Sequence, residues 1–133
     1  MAAVSQPVPE AARIAAAQAY IDALVSHDAS AVPFAADCVR IEVGVKTGFS
    51  GAHLRRSLDR GPQFKLIKAA TTPDYTVSGD EVRAVYDIIT KPALAGRRVC
   101  AHVDETFVIP ATSPDGAARI HHIRAGIRPF VGR

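Results

Sequence analysis

Long segments in the second half of the chain alternate apolar and polar residues and are separated by turn sequences. Residues 82–90 alternate in this way, a long strand is expected over residues 97–109, and a final strand over residues 118–130. Ser-Gly-Asp at 78–80 and Ser-Pro-Asp-Gly at 113–116 favour tight reversals between them. Strands joined by short turns pair antiparallel. The pattern therefore predicts an antiparallel sheet as the main body of the fold.

One long helix precedes these strands. Good helix formers run from Glu10 to about Val25 behind two prolines. A stripe at three- and four-residue spacing predicts the face that covers the sheet, and its members are Ile14, Ala17, Ile21 and Leu24. Tyr20 lies on the flank of this stripe, and Asp28 is expected to cap a short helix around residues 32–35. Helices followed by a run of strands predict an α+β domain with helices on one face of a bent sheet.

Size and composition narrow the class of protein. A chain of 133 residues with 48% hydrophobic residues suits one domain, expected over residues 10–133 behind a flexible N-terminus of residues 1–9. A net charge of +3 without dense basic runs, and the absence of Trp, argue against nucleic acid as a partner. No stretch approaches a membrane span or a signal peptide, so we expect a cytoplasmic protein without a membrane partner.

The first strand allows two interpretations. From Cys38 to Val45 the polar residues Arg40 and Glu42 alternate with Val39, Ile41 and Val43. Taken alone, this alternation predicts that Glu42 faces solvent. The alternative, that Glu42 faces the interior, follows only from the resemblance described next.

The first part of the chain resembles the nuclear transport factor 2-like superfamily, which includes ketosteroid isomerases and SnoaL-type cyclases. The features that carry the resemblance are the segment Q-A-Y-I-D-A-L around Tyr20, the turn with Asp28, the Phe34-Ala pair and the strand with Glu42. The resemblance follows the order of elements from Glu10 to Phe130. It implies a curved antiparallel sheet wrapped around the N-terminal helices, forming a cone with an apolar pocket.

The resemblance also implies a set of site residues. Tyr20 matches a tyrosine that donates a hydrogen bond to a substrate oxygen, Glu42 the carboxylate that moves a proton, and Glu105 a supporting acid two residues before Phe107. Such an arrangement stabilises an enolate through its donors and removes a proton with its base. The expected ligand-binding residues are Phe34, Val103, Phe107, His121, Ile123 and Ile127.

Each of these residues also has an ordinary structural interpretation. Tyr20 can be an aromatic at the edge of the core. Glu42 and Glu105 can be solvated strand residues, and Glu105 can pair with Arg97 or Arg98 across the sheet. The sequence departs from the isomerase pattern as well, because both acids are Glu rather than Asp and a valine follows Glu42 where the isomerases carry proline.

The remaining polar residues predict no metal site and no cofactor. His121 and His122 are adjacent on a strand and point to opposite faces, so they do not chelate one ion together. His121 shares a face with Ile123 and is expected at the rim of the pocket. Glycine-rich nucleotide loops and nucleophile elbows are lacking.

Two hypotheses follow. The first is a cofactor-free isomerase or cyclase that acts on a small apolar carbonyl compound in the cone. The second is a non-catalytic ligand-binding or dimerisation module of the same fold. The resemblance implies a homodimer, to which the outward Val85 and Ile89 are expected to contribute.

Overall fold

The computed structural model describes residues 5–132, apart from the side chains of residues 92–94. Three helices and nine strands follow one another in this part of the chain. In order they are β1 (Gln6–Pro7), α1 (Glu10–Ser26), β2 (Phe34–Glu42), β3 (Val45–Gly48), α2 (Gly51–Arg60), α3 (Pro62–Lys65), β4 (Ile67–Ala70), β5 (Asp74–Ser78), β6 (Glu81–Leu94), β7 (Arg97–Val108), β8 (Thr112–Ser113) and β9 (Ile120–Gly132).

The main sheet has seven strands in the order β3-β2-β9-β7-β6-β4, and β5 also pairs with β6. All of its neighbours pair antiparallel except β2 and β9, which run parallel. The sheet curves around the helices, so the predicted α+β cone is confirmed. This parallel pairing of β2 with β9 is the one strand pairing that the alternation of the sequence does not predict.

Helix α1 lies against the concave side of the sheet and supplies much of the core. Three of its alanines, Ala16, Ala17 and Ala23, are buried with Ile21 and Leu24 in one hydrophobic cluster that extends to β6, β7 and β9. Tyr20 is only 1% exposed, so it lies within this face rather than at its edge. Arg13 is buried too, because its guanidinium donates to the backbone oxygens of Ile109 and Gly79, each at 2.7 Å.

The segment after α1 differs from the predicted short helix at 32–35, since β2 begins at Phe34. The Asp28 carboxylate accepts from the backbone N–H of Ser30 in a local turn. The backbone N–H of Ile120 then donates to the oxygen of Pro33 at 2.9 Å, which draws this segment toward β9. A tertiary contact therefore outweighs the local helical preference.

Near the N-terminus, Gln6–Pro7 pairs with Thr112–Ser113, and the backbone N–H of Val8 donates to the oxygen of Ala111. Val8 is buried. Residues 6–8 are thus held against the body of the domain, where a flexible segment to residue 9 was expected. Residues 1–4 lie outside the described residues.

Candidate functional site

A cavity of about 190 Å³ lies between α1, α3 and the concave face of the sheet. Its wall is mostly apolar, with a few polar side chains from separate elements. The lining residues are Tyr20, Leu24, Glu42, Gln63, Phe64, Ile67, Tyr86, Ile88, Val103, Glu105, Ala125 and Ile127. An apolar cavity with few convergent polar groups is the usual form of a small-molecule site.

Tyr20 reaches this cavity from α1 and is fixed by aromatic neighbours and an arginine. The rings of Phe107 and Phe34 meet it edge-on, with centroids 5.5 and 6.1 Å away. Behind it, Nη1 of Arg40 donates to the Tyr20 hydroxyl oxygen at 3.2 Å. Burial raises the pKa of Tyr20, so the phenol keeps its proton. Among residues 5–132 no acceptor takes that proton, which leaves it free for the cavity.

Arg40 is a fully buried cation, 1% exposed, and most of its N–H groups are engaged. Its Nε donates to the Thr47 hydroxyl at 3.0 Å, and its Nη2 donates to the Thr47 backbone oxygen and to the Ser57 hydroxyl. The guanidinium also lies 5.0 Å from the ring centroid of Phe64. These partners and the Glu42 carboxylate compensate the cost of burying the charge.

Glu42 faces the cavity, and its side chain is 22% exposed. Its Oε1 accepts from the Thr47 hydroxyl at 2.7 Å and lies 3.4 Å from Nε of Arg40. The solvent-facing interpretation of the alternation is therefore wrong, and the alternative interpretation is the correct one. The polar side of this strand turns inward because Arg40 and Glu42 compensate each other's charge there.

Glu105 lies on β7 and is 2% exposed. The hydroxyl of Tyr86 donates to its Oε1 at 2.6 Å across the β6–β7 pair. Burial raises the pKa of the Glu105 carboxyl to about 7, and the nearby Glu42 carboxylate adds to the rise, while the Tyr86 hydrogen bond opposes it. Glu105 therefore changes charge near neutral pH. It does not pair with Arg97 or Arg98, and its neighbour Asp104 forms an ion pair with Arg83 on the outer face.

Several predicted ligand-binding residues do not line the cavity. Val103 and Ile127 do, but Phe107 and Ile123 are cross-strand partners in the core and are 0% exposed. Phe34 is half-buried and packs on Tyr20 from behind. The deep end of the cone is filled by α1, so these three side chains support the wall rather than form it.

His121 lies away from the cavity, and its predicted place at the pocket rim is wrong. Its side chain is 45% exposed, and its Nδ1 is 3.8 Å from Asp37 Oδ1. The β7–β9 pairing ends at His122, and the β2–β9 register shifts between Phe34 and Val39. The alternation that holds from Ile123 onward therefore does not extend back to His121.

The sequence interpretation missed Arg40, Tyr86 and Phe64. In the alternating strand over residues 82–90, Tyr86 lies on the apolar side. A tyrosine on a buried face needs a hydrogen-bond partner for its hydroxyl, and this was the signal that could have identified it. Phe64 follows the Gly61-Pro62 stop, where a single aromatic gives no signal of its own. Arg40 and Glu42, two residues apart on a strand, share a face, which is the one feature that pointed to an internal ion pair.

A larger groove of about 570 Å³ lies outside the cone, along α1 and the residues that follow β4. It is open to solvent and contains one titratable side chain, Asp22. The smaller cavity inside the cone holds two carboxyls and two phenols. We therefore assign the candidate site to the inner cavity on chemical grounds.

Residues 6–127 match the family described as a domain of unknown function, DUF8021. The chain belongs to the DUF8021 family. No curated protein sequence matches it. Within residues 5–132, this DUF8021 domain has no helix that is both long enough and apolar enough to span a membrane.

Solved structures with the same fold support the cone architecture of this DUF8021 domain. A ketosteroid isomerase-like protein from Erwinia carotovora atroseptica has a TM-score of 0.60 and 18% identity, over 88% of this chain and 94% of that chain. A protein of the SnoaL-like family from Agrobacterium tumefaciens has a TM-score of 0.57 and 13% identity, over 89% and 98%. AclR from Streptomyces galilaeus has a TM-score of 0.64 and 16% identity, over 90% and 91%. The domain therefore has the nuclear transport factor 2-like, SnoaL-like fold predicted from its sequence.

Proposed function

We propose that this domain binds a small carbonyl compound in its cone and transfers a proton on it without a cofactor. The observation that carries the proposal is the convergence of Tyr20, Glu42 and Glu105 on one apolar cavity. Three titratable groups from α1, β2 and β7 meet there, although they are far apart in the sequence. Burial raises the pKa of both Tyr20 and Glu105, and titratable groups perturbed in this way inside a cavity are characteristic of catalytic sites.

The substrate oxygen binds at the donor side of the cavity. Tyr20 offers its hydroxyl proton, since Arg40 occupies the oxygen of the phenol as a donor and has no acceptor to offer. Glu105 offers a second proton while it is neutral, because a carboxyl with a pKa of about 7 is largely protonated at slightly acidic pH. Two donors at a developing enolate oxygen, in a mostly apolar cavity, stabilise the transition state.

Glu42 acts as the base. The carbon–hydrogen bond next to the carbonyl breaks, the proton passes to the Glu42 carboxylate, and the electron pair moves onto the oxygen as the enolate forms. Return of a proton to a carbon atom completes an isomerisation or an exchange. The Thr47 hydroxyl holds Glu42 at 2.7 Å and thereby fixes the position of the carboxylate.

Arg40 acts in this scheme as a positioning residue. It does not line the cavity, but it contacts Tyr20 at 3.2 Å and Glu42 at 3.4 Å. A fixed positive charge behind the phenol favours negative charge on the substrate oxygen in front of it. Arg40 also fixes the position of the donor Tyr20 relative to the base Glu42, because it contacts both.

Hydrogen–deuterium exchange tests the proposal. Purified protein is incubated with cyclohexanone in deuterium oxide, and loss of the proton signals beside the carbonyl is followed by NMR. We expect exchange above the buffer rate, reduced at least tenfold by Tyr20→Phe and by Glu42→Gln. Asp104→Asn is the matched control, since Asp104 is next to Glu105 but pairs with Arg83 on the outer face. Equal exchange in all variants rejects the assignment.

A non-catalytic binding module is the second candidate. One observation favours it, which is that Glu42 already accepts a hydrogen bond from Thr47 and lies within ion-pair distance of Arg40. One carboxylate oxygen of Glu42 is therefore already occupied and is not free to take a proton from a ligand. Saturable binding of cyclohexanone without exchange above the buffer rate would support this candidate over the first.

A further inference from the structure

We infer that the compound bound in the cone is neutral and about the size of one six-membered ring, and that Phe64 sets this limit. The inference rests on the proposed function and specifies its substrate class. Three observations carry it, namely the volume of the cavity, the burial of its walls and the distribution of charge around it.

The volume comes first. A cavity of about 190 Å³ is only somewhat larger than the roughly 150 Å³ apolar cavity that accommodates benzene in a protein core. Typical pockets for larger ligands begin at about 300 Å³. A single ring with one or two small substituents therefore fits, whereas a second fused ring exceeds the space.

Most of the side chains on the inner wall of the cavity are closely packed. Tyr20, Tyr86 and Val103 are at most 3% exposed, and Phe64 and Ile67 are 6% and 7% exposed. Close-packed interiors resist expansion, because moving one side chain displaces others. The inner part of the cavity therefore has little room to expand around a larger ligand.

Phe64 is the buried apolar residue of the cavity wall on the α3 side, where Gln63 also lines the cavity. Its ring forms part of the wall and at the same time lies against the Arg40 guanidinium, with 5.0 Å from the carbon of that group to the ring centroid. Rotation of the ring away from the cavity would separate it from a buried cation. Phe64 is thus held more firmly than an ordinary wall residue, and it is the residue whose truncation should enlarge the site.

The charges around the cavity select against anions. Glu42 and Glu105 both line it, whereas the one buried cation nearby, Arg40, lies behind Tyr20 and is already bonded to Tyr20, Thr47 and Ser57. An added carboxylate would lose its hydration and lie close to the Glu42 carboxylate, and Glu105 adds a second negative charge once it has lost its proton. A neutral carbonyl compound avoids this cost.

Exchange rates of three matched ketones test the inference. Cyclohexanone is the neutral single ring, 2-decalone adds a second fused ring, and 4-oxocyclohexanecarboxylate adds a negative charge to the first. At pH 7 we expect the protein to exchange cyclohexanone at least tenfold faster, relative to the buffer rate, than either of the other two. Phe64→Ala should raise the ratio of 2-decalone to cyclohexanone exchange at least fivefold.

Ile88→Ala provides a second enlarged cavity that leaves the Arg40 contact in place, in case Phe64→Ala does not fold. It should raise the same ratio, because Ile88 is a half-buried wall residue on β6. Exchange of 2-decalone or of the keto acid as fast as cyclohexanone in the unaltered protein overturns the inference while the proposed function stands. Absence of exchange for all three ketones instead overturns the proposed function, and the substrate class with it.

Discussion

Nη1 of Arg40 donates a hydrogen bond to the hydroxyl oxygen of Tyr20 at 3.2 Å, and both side chains are 1% exposed. A guanidinium has donors and no acceptor, so the hydrogen of the phenol turns elsewhere. The cavity lies on the other side of Tyr20. The buried Arg40 on β2 therefore orients the Tyr20 hydroxyl on α1 so that it can donate a hydrogen bond into the cavity.

Replacement of Arg40 by Met should strongly destabilise the protein. The change leaves Glu42 without its cation and removes the donor to the Thr47 backbone oxygen and to Tyr20. Removing one partner of a buried pair costs about 3–5 kcal/mol. The free energy of unfolding from urea titrations measures the loss.

Arg83→Met is the control for that change. Arg83 and Asp104 also form an ion pair, but their side chains are 55% and 42% exposed. An exposed ion pair contributes far less than a buried one, because water and salt screen it. Equal losses for the Arg40 and Arg83 variants would contradict the structural role that we assign to Arg40.

Replacement of Glu105 by Gln should change how stability depends on pH. In the folded protein the pKa of Glu105 is raised to about 7, so the folded state binds a proton that the unfolded chain releases at lower pH. The stabilisation this gives is fully present below the unfolded pKa and is lost as pH rises through 7. Relative to the Glu105→Gln variant, the unaltered protein should lose on the order of 3 kcal/mol between pH 4 and pH 8.

Urea titrations of both proteins across this range test the expectation. Groups that titrate identically in the two proteins cancel in the difference. A difference that stays constant with pH would mean that Glu105 is not buried as described.

Replacement of Tyr86 by Phe should raise the pKa of Glu105 further. The Tyr86 hydroxyl donates to Glu105 Oε1 at 2.6 Å and thus stabilises the carboxylate form. Without this bond, the rise that burial causes in the Glu105 pKa is opposed less, so the Glu105 carboxyl keeps its proton to higher pH. The carboxyl carbon shift of Glu105, followed by NMR during a pH titration, reports the midpoint. A midpoint that moves to lower pH would show that the bond favours the neutral acid instead.

Replacement of Val43 by Asn should stabilise the hairpin between β2 and β3. Val43 has φ of 50° and Gly44 has φ of 77°, the positive pair that a type I′ turn requires. A β-branched residue is strained there, whereas Asn accepts this region readily. We expect a gain of about 1 kcal/mol in the free energy of unfolding.

Val45→Asn serves as the comparison. Val45 is 61% exposed in the same hairpin but has no positive φ. It should therefore show no comparable gain. An equal gain at both positions would indicate a solubility effect rather than relief of backbone strain.

The sequence was sufficient to predict the cone because its signals are local and repeated. The helix over residues 10–25 and the alternating strands from residue 82 onward match α1, β6, β7 and β9 closely. The helix expected at 32–35 was wrong, since the bond from Ile120 to Pro33 is a contact between distant segments. Local propensity carries no information about such a contact.

The candidate site was only partly predictable. The resemblance indicated Tyr20, Glu42 and Glu105, which all line one cavity, whereas alternation alone turned Glu42 to solvent. An interpretation based on periodicity assumes that every charged residue is exposed. It therefore could not foresee that Arg40 and Glu42 compensate each other's charge inside the fold. It also carried the alternation past the register shift and placed His121 wrongly.

The parallel pairing of β2 with β9 has a consequence for how the protein forms during synthesis. The strand that bears Arg40 and Glu42 is synthesised well before its neighbour β9, because five other strands of the main sheet lie between them in the chain. A chain synthesised only as far as β7 therefore lacks the strand that supplies Ala125 and Ile127 to the cavity wall. The last strand of the domain thus completes the sheet and the wall of the inner cavity together.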